Sequence, residues 1–266
     1  MVLTEKNGIK YYTFKGFEQL PHCFTTRVGG VSQGSYSSLN MAFREDKREN
    51  ILKNYELVCN AIGVKKENTF WTKQVHGDNI VVATEEDRGK GLLKPRDIEE
   101  GYDGVITNIK DIVLTGFSAD CVLVFFYDAK RKVIGVTHSG WRGTVKKIVQ
   151  KTVQKMQTVF GCDPKDIVCG ISPSIGLDHF EVDEPVVTEF KNTFGNTVDS
   201  YILEKGNGKY HIDLNSIVEY TLLGCGIDLN NIDKATVCTM CYPQLFYSHR
   251  IMGNSRGSMA GLISLR

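Results

Sequence analysis

The chain has 266 residues, of which 41% are hydrophobic, 24% charged and 10% aromatic, which excludes a small disulfide-stapled module and a disordered protein. Thirty-two basic and 31 acidic residues leave a formal net charge of +1, so no strong long-range field attracts nucleic acid or an anionic membrane. We therefore expect a globular protein with no nucleic-acid and no membrane partner, in which any bound phosphate is held by local groups.

The chain carries no pattern of a membrane span, a secretory signal or a linker. Its longest strongly apolar run, Val122 to Tyr127, is far shorter than the roughly 20 residues that cross a bilayer. Residues 1–10 include Glu5 and two lysines and lack the apolar core of a signal peptide. We expect a cytoplasmic protein with one domain over residues 1–266 and eight reduced cysteines, some of them ligands. The chain has no long apolar heptad repeat of the kind that would predict coiled-coil assembly.

The spacing of apolar residues predicts short strands interspersed with four helices. The strands are expected, in chain order, over 10–14, 69–75, 79–83, 111–117, 122–127, 132–138, 166–171, 235–238 and 261–265. The helices are expected over 51–62, 145–159, 184–194 and 214–225, the last with Asp213 as its N-cap. Because neighbouring strands cluster without strict alternation with helices, the pattern favours an α+β fold with mixed or antiparallel sheets.

Two consecutive predicted strands carry a cysteine and a histidine at matching ends. Cys121 opens the first strand and His138 closes the second, so a hairpin through 128–131 would bring both side chains to one end of the sheet. A thiolate beside an imidazole either binds a metal or acts as a nucleophile with its base. On spacing alone, a buried apolar cysteine next to a core histidine remains an alternative.

A third candidate ligand follows an earlier predicted strand. The segment Gln74-Val75-His76-Gly77 ends that strand at a glycine turn, which places His76 where it can join Cys121 and His138. Two imidazoles and one thiolate leave the fourth position of a zinc ion open, which is typical of a catalytic site.

The segment that follows His138 has the features of an anion site. In Ser139-Gly140-Trp141-Arg142-Gly143, two glycines flank Trp141 and Arg142 before a helix begins near Thr144. This arrangement places backbone N–H groups and a guanidinium at a helix N-terminus, which suits a phosphate.

Other motifs give weaker signals. The motif Cys238-Thr-Met-Cys241 is a single C-x-x-C without the second pair of a zinc knuckle, so a redox dithiol or plain packing is the preferred interpretation. The glycine-rich segment from Arg27 to Ser32 matches neither a Walker loop nor a dinucleotide fingerprint. Four isolated histidines are interpreted as surface or structural residues, namely His22, His179, His211 and His249.

Short motifs rich in glycine, histidine and polar residues are spread along the chain. They are Thr26-Arg27-Val28-Gly29-Gly30-Val31-Ser32, Ser38-Leu39-Asn40, Lys73-Gln74-Val75-His76-Gly77, Tyr102-Asp103-Gly104-Val105-Ile106-Thr107, Ala119-Asp120-Cys121, His138-Ser139-Gly140-Trp141-Arg142-Gly143 and Phe246-Tyr247-Ser248-His249-Arg250. Together they resemble the laccase-domain family, which was first labelled polyphenol oxidase and is now described as zinc-dependent purine nucleoside phosphorylase. One bacterial branch of that family is called peptidoglycan editing factor. The resemblance runs nearly end to end, from Arg27 to Arg256.

The resemblance implies a single-domain α-β-β-α sandwich with mixed, largely antiparallel sheets. It also implies a zinc site on His76, Cys121 and His138, the three residues that the spacing selects. Members of the family act on adenosine, inosine, guanosine and methylthioadenosine by phosphorolysis and, for adenosine, by deamination. We therefore expect a zinc-dependent purine nucleoside phosphorylase with adenosine deaminase side activity, whose partners are a purine nucleoside and phosphate.

Residue roles follow from that expected activity. Cys121 and His138 are expected to be catalytic as well as metal ligands, and Asp120 is expected to relay protons or to orient a ligand histidine. In deamination, the metal would activate a water that attacks C6 of the purine. Substrate binding is expected from four polar side chains: phosphate would contact Arg142 and Arg27, and ribose or base would contact Asn40 and Gln74.

The chain departs from the family pattern at three places. Tyr55 stands where the family often has an arginine after Asn54, and Ile251 replaces the second arginine of a Ser-His-Arg-Arg motif. The stretch from Gly170 to Gly176 lacks the cysteine that is usual there. A lost arginine could remove a contact to phosphate or ribose, so we expect these changes to affect rate and substrate preference.

Three alternative functions remain. A copper-binding polyphenol oxidase is disfavoured because a multicopper oxidase needs H-x-H pairs and this chain has six histidines and no such pair, although copper binds these ligands more tightly than zinc. A metal-free cysteine hydrolase would use Cys121 as nucleophile and His138 as base. Editing of peptidoglycan precursors is indicated only by the bacterial branch of the family.

Overall fold

The computed structural model describes residues 1–43, 45–95 and 101–266, and these contain fifteen β-strands and six α-helices. The strands are β1 (Val2–Lys6), β2 (Ile9–Thr13), β3 (His22–Thr25), β4 (Thr69–Trp71), β5 (Ile80–Val82), β6 (Gly104–Thr107), β7 (Val113–Ser118), β8 (Val122–Asp128), β9 (Val133–Ser139), β10 (Ile167–Ile171), β11 (Glu181–Asp183), β12 (Ile202–Gly206), β13 (Lys209–Ile212), β14 (Ile232–Lys234) and β15 (Met259–Ser264). The helices are α1 (Arg48–Ile62), α2 (Trp141–Val145), α3 (Ile148–Phe160), α4 (Glu184–Phe194), α5 (Leu214–Gly224) and α6 (His249–Met252).

Twelve of these strands form two six-stranded sheets that pack face to face. The first sheet has the order β1-β2-β3-β15-β7-β4, and the second has the order β14-β10-β8-β9-β6-β5. Parallel pairs occur only at sheet edges within the described residues, where β4 pairs with β7, β5 with β6 and β14 with β10. Buried apolar side chains of both sheets, among them Phe24, Leu114, Phe125 and Val136, fill the space between them.

Helices cover the outer face of each sheet. Helix α1 packs Ile51 and Val58 with Leu262 of the first sheet, in a separate buried cluster. Helices α3 and α5 pack Val153 and Ile217 against the second sheet. The layers therefore run helix, sheet, sheet, helix, and the expected α+β sandwich with mixed, largely antiparallel sheets is confirmed. Among the helices described, none has both the length and the apolar character that a membrane crossing requires.

The expected helices are present, with one interruption. Helix α4 has the predicted bounds, and α1 and α5 lie within a few residues of theirs. The Asp213 side chain accepts a hydrogen bond from the backbone N–H of Ser216 at 3.0 Å, so the predicted N-cap is confirmed. The predicted helix over 145–159 is split into α2 and α3, because Lys147 adopts a left-handed backbone with φ of 57°.

Some predicted strands are wrong in extent or place. The strand expected over 235–238 is not formed; β14 lies just before it, and Cys238 contributes only an isolated bridge to Ser174. The strand expected over 69–75 ends at Trp71, because Gln74 instead hydrogen-bonds the backbone of Phe117 with its side-chain amide. Strands β1, β3, β6, β11, β12 and β13 were not expected, since they are short or largely exposed and lack a clear apolar alternation.

The hairpin that carries the predicted ligands forms as expected. Strands β8 and β9 pair antiparallel, with Leu123 opposite His138. At the other end, Asp128 Oδ1 accepts hydrogen bonds from the backbone N–H groups of Lys130 and Arg131, each at 2.9 Å, which fixes the turn. The pairing therefore returns the chain so that His138 lies beside Cys121.

Candidate metal centre

His76, Cys121 and His138 come together beyond one end of the β8–β9 hairpin. One ligand atom of each residue lies within 4.8 Å of the ligand atoms of the other two. The two imidazole rings are nearly perpendicular, at 80°, with centroids 4.9 Å apart. His138 is buried, Cys121 is half-buried and His76 is exposed, so solvent reaches the cluster from the His76 side.

The buried carboxylate of Asp103 holds two of these ligands in place. Its Oδ1 lies 2.8 Å from Nδ1 of His138, and its two oxygens accept hydrogen bonds from the backbone N–H groups of Val75, His76 and Gly77 at 2.8–3.0 Å. Because an ionised carboxylate only accepts, the proton of neutral His138 lies on Nδ1, which leaves Nε2 as the ligand atom. The three backbone bonds also support the left-handed conformation of His76, whose φ is 58°.

The charges of the cluster change the protonation of its members. Burial opposes ionisation of Cys121, but the neighbouring His138 and His76 outweigh it and lower the pKa of the thiol to about 6. Burial likewise opposes a charge on His138, but Cys121 and Asp103 outweigh it and raise the pKa of the imidazole to about 9. Without a metal, both shifts favour the thiolate–imidazolium form of the pair near neutral pH. The pKa of Asp103 is lowered despite burial, through its bonds from His138 and the backbone.

A glycine leaves room at the centre of the cluster. A Cβ at Gly140 would lie 3.1 Å from Sγ of Cys121, 3.1 Å from Cδ2 of His76 and 3.6 Å from Cε1 of His138. Two of these contacts are tighter than ordinary van der Waals distances, so any side chain here would displace the ligands. Two imidazoles and a thiolate, one imidazole oriented by a carboxylate, form a donor set that fits zinc or copper.

The cluster forms part of the wall of a cavity of about 430 Å³. Three aromatic side chains face this cavity: Trp71 meets Phe117 edge-on, with ring centroids 4.9 Å apart, and lies 5.1 Å from Phe43. Two cationic residues, Lys73 and Arg256, also line it. The remaining wall residues are Ala42, Thr72, Gln74, Gly91, Ser118, Ala119 and Ser258. The volume is that of a small-molecule site.

Of the four expected substrate-binding residues, Gln74 faces this cavity. Its amide donates to the backbone carbonyl of Phe117 at 2.9 Å and accepts from the N–H of the same residue at 2.6 Å, so its orientation is fixed. Asn40 is fully buried elsewhere; its amide donates to the carbonyl of Ala42 and accepts from the N–H of Ser258. Asn40 therefore braces the loops behind the cavity wall.

The two expected phosphate ligands also lie outside the residues that line the cavity. Arg27 donates to the backbone carbonyls of Ser37 and Pro243 and stacks on Tyr247, with its guanidinium carbon 4.6 Å from the ring centroid. Arg142 is exposed, and its guanidinium carbon lies 4.2 Å from the ring centroid of Trp141. The structure thus does not bring these arginines to the cavity wall.

Asp120 is next to a ligand but its carboxylate is directed to other loops. It accepts hydrogen bonds from the hydroxyls of Thr239 and Ser248, at 2.6 and 2.9 Å, and from the backbone N–H of Arg250 at 2.8 Å. The expected orientation of a ligand histidine is instead provided by Asp103. Asp120 holds the segment of Cys121 against two later loops.

Three residues of the site, Asp103, Lys73 and Arg256, are not predicted from the sequence. Asp103 was noted only as part of a motif, although an acidic residue directly before a buried strand needs a partner. Lys73 stands in the same motif as Gln74, and Arg256 lies near the end of the chain. They reach the cavity through the pairing of strands that are far apart in the sequence, and no local sequence pattern predicts such pairing.

Residues 21–266 match a family described as multi-copper polyphenol oxidoreductase laccase. The chain is 32% identical over 244 residues to purine nucleoside phosphorylase YlmD of Bacillus subtilis, which covers 91% of this chain and 87% of that protein. It is 30% identical over 257 residues to a purine nucleoside phosphorylase of Bacteroides thetaiotaomicron, with 96% and 95% covered. The crystal structure of YlmD from Geobacillus stearothermophilus superposes with a TM-score of 0.93 at 31% identity, covering 99% of this chain and 98% of that one.

Proposed function

Since the chain belongs to the multi-copper polyphenol oxidoreductase laccase family, with relatives named purine nucleoside phosphorylases, we propose that it is itself a purine nucleoside phosphorylase. Such an enzyme transfers the ribosyl group of the nucleoside to inorganic phosphate and releases the free base. The observation that carries the proposal is the cavity of about 430 Å³ where aromatic rings, cationic side chains and the ligand cluster face one space.

The aromatic wall supports binding of a purine base. Phe43, Trp71 and Phe117 together offer flat, apolar faces on which a base can stack. Behind them, the fully buried Tyr55 packs against Trp71 with ring centroids 4.9 Å apart. Tyr55 stands where the family often has an arginine, so in this chain an aromatic ring replaces that cation behind the wall.

The phosphate is proposed to bind Lys73 and Arg256. Both line the cavity, whereas Arg27 and Arg142 do not, so the cations that face the space replace those expected from the sequence. Phosphate bound by Lys73 and Arg256 would approach the ribose from their side of the cavity. The two cations would stabilise the negative charge of the phosphate during the transfer.

Zinc is proposed as the metal, held by Nε2 of His138, Sγ of Cys121 and one nitrogen of His76. When bound, it would supply a Lewis acid that polarises an oxygen of the substrate. Asp103 keeps His138 in the ligating tautomer, and Gly140 keeps the space between the three ligands open. A deaminase side activity on adenosine is part of the same proposal.

The test is a product assay on protein of known zinc content. Adenosine and inosine are incubated with and without phosphate, and free base, inosine and ribose 1-phosphate are separated by chromatography. We expect phosphate-dependent release of base, abolished by Cys121→Ala and retained in the control Cys225→Ala, which replaces a half-buried cysteine at the end of α5. Fully zinc-loaded protein that releases no base in the presence of phosphate would refute the proposal.

A metal-free cysteine hydrolase is the second candidate, because Cys121, His138 and Asp103 have the order of a nucleophile, a base and an orienting acid. It predicts that a chelator leaves activity unchanged and that an electrophilic substrate analogue labels Cys121 in the presence of zinc. The phosphorylase proposal predicts loss of activity with the chelator and protection of Cys121 by zinc.

A further inference from the structure

A second group of metal-ligating side chains lies apart from the cluster of His76, Cys121 and His138. Nδ1 of His179 is 3.6 Å from Sγ of Cys238 and 3.6 Å from Sγ of Cys241, and all three ligand atoms lie within 4.8 Å of one another. His179 and Cys238 are half-buried and Cys241 is exposed. His179 lies just before β11, and the cysteines lie between β14 and α6.

The two nitrogen–sulfur distances match those at a shared metal ion. Zn–S bonds of about 2.3 Å and Zn–N bonds of about 2.0–2.1 Å at tetrahedral angles separate nitrogen and sulfur by roughly 3.5–3.6 Å. With Nδ1 unprotonated, its single lone pair accepts one thiol hydrogen, and with Nδ1 protonated, its one N–H is shared between two sulfurs. Neither tautomer of His179 therefore gives each cysteine a full hydrogen bond of its own. An ion at the centre of the three atoms accounts for both distances.

The backbone around Cys238 suits a thiolate. The N–H of Gly176 donates to Sγ of Cys238 at 3.2 Å, which stabilises negative charge on the sulfur. A Cβ at Gly176 would lie 3.3 Å from Cβ and 3.5 Å from Sγ of this cysteine, so a glycine permits the close approach.

Both ligand segments are held by hydrogen bonds that need no metal. The N–H of Thr239 donates to the carbonyl of Ser174 at 2.9 Å, and the N–H of His179 donates to the carbonyl of Gly176 at 3.0 Å. Arg250 donates to the carbonyl of His179 at 3.1 Å. The backbone at His179 and between the two cysteines is therefore in place before a metal binds, which lowers the entropic cost of binding.

We propose that His179, Cys238 and Cys241 bind a second zinc ion, with solvent in the fourth position. This ion joins the loop after β14 to the turn before β11. Thr239, between the two cysteines, also donates to Asp120, whose neighbour is the ligand Cys121. The second ion thus braces a loop that supports the first cluster, and none of its three ligands lines the cavity.

The test counts zinc in reduced protein that has been reconstituted anaerobically and freed of unbound metal. We expect two equivalents in the unchanged protein, one in Cys121→Ala, one in the Cys238→Ser/Cys241→Ser double variant and two in the control Cys225→Ser. His179→Gln provides a milder change and should weaken the second site alone, with folding checked by circular dichroism. Equal zinc content in the unchanged protein and the double variant would overturn the proposal.

Cobalt(II) substitution identifies the ligands directly, because its charge-transfer absorption scales with the number of bound thiolates. Cys121→Ala protein should show the intensity of two thiolates, which is lost when Cys238 and Cys241 are also replaced by serine. Recovery of these cysteines as a disulfide from reduced, zinc-supplemented protein would overturn the proposal. Protein that binds two zinc ions but releases no purine base would keep this inference and refute only the proposed function.

Discussion

At the residue scale, one carboxylate controls the geometry of the first cluster. Asp103 orients His138 through Nδ1 and fixes the backbone turn that carries His76. We predict that Asp103→Asn raises the zinc dissociation constant by about 10- to 100-fold, because the amide lacks the charge that holds the ligating tautomer. The constant is measured by competition with a chromophoric chelator.

Asp128→Asn is a matched control for this substitution. Asp128 is also a fully buried carboxylate that accepts backbone N–H bonds, but it lies at the opposite end of the β8–β9 hairpin. Zinc affinity should be unchanged in this variant. An Asp103→Asn protein that binds zinc as tightly as the control would show that His138 does not need its partner.

Gly140 provides a steric test of the same cluster. Its φ of −68° is accessible to alanine, so Gly140→Ala changes only the space near the ligands. Overpacking of this kind costs roughly 1–3 kcal/mol, which corresponds to about a 5- to 150-fold weaker zinc affinity. The same chelator competition measures it, with Gly224→Ala as the control, because a Cβ at Gly224 would meet nothing within 4 Å. Unaltered affinity of Gly140→Ala would mean that the ligands are not confined as described.

The protonation of Cys121 gives a pH-dependent prediction for zinc-free protein. Because the pKa of its thiol is lowered to about 6, the thiolate fraction should rise with pH and reach half near pH 6, whereas an ordinary thiol reaches half near about pH 8.5. Alkylation by iodoacetamide, followed by peptide mass spectrometry, should show this midpoint for Cys121. Burial raises the pKa of Cys225 to about 11, so this residue serves as a slow internal reference. A Cys121 midpoint above about pH 8 would contradict the ion pair with His138.

At the element scale, removal of a helix cap should change the stability of the protein without changing its zinc binding. The Asp213 side chain accepts from both the N–H and the hydroxyl of Ser216 at the start of α5, at 3.0 and 2.7 Å. We predict that Asp213→Ala lowers the free energy of unfolding by about 1 kcal/mol, measured by urea denaturation, with zinc content unchanged. Asp183 occupies the same position before α4, but its side chain makes no capping hydrogen bond and pairs with the exposed Lys209. Asp183→Ala should lower the free energy of unfolding by less than Asp213→Ala. An equal decrease would show that the capping hydrogen bonds of Asp213 do not stabilise α5.

Elements that depend on nearby residues could be predicted from the sequence. The helices and the β8–β9 hairpin were predictable because apolar periodicity and a turn within a few residues determine them. The hairpin alone brings Cys121 to His138, and the glycine turn after His76, together with the resemblance, predicts that His76 joins them. Asp103, Lys73 and Arg256 reach the site through sheet pairings between distant segments, which sequence periodicity does not encode. His179 was interpreted as isolated because 59 residues separate it from Cys238.

At the scale of the whole molecule, the first cluster lies where the two sheets are connected. His76 lies on the connection from β4 of the first sheet to β5 of the second, and Cys121 lies on the connection from β7 to β8. His138 lies on β9 of the second sheet. A metal bound at this point would join both connections to the second sheet, so its binding energy would stabilise the packing of the sheets against each other.

Zinc should therefore raise the Tm of the entire fold. The Cys238→Ser/Cys241→Ser variant isolates the first cluster, because the proposed second site is removed. At free zinc 100 times the dissociation constant, the native state gains about 2.7 kcal/mol, and at about 2–4 °C per kcal/mol the Tm rises by about 5–11 °C. Calorimetry with and without zinc measures the shift, and Cys121→Ser in the same background should abolish it. A shift that persists without Cys121 would place the stabilising ion elsewhere, whereas a shift that disappears ties the cohesion of the two sheets to this single thiolate.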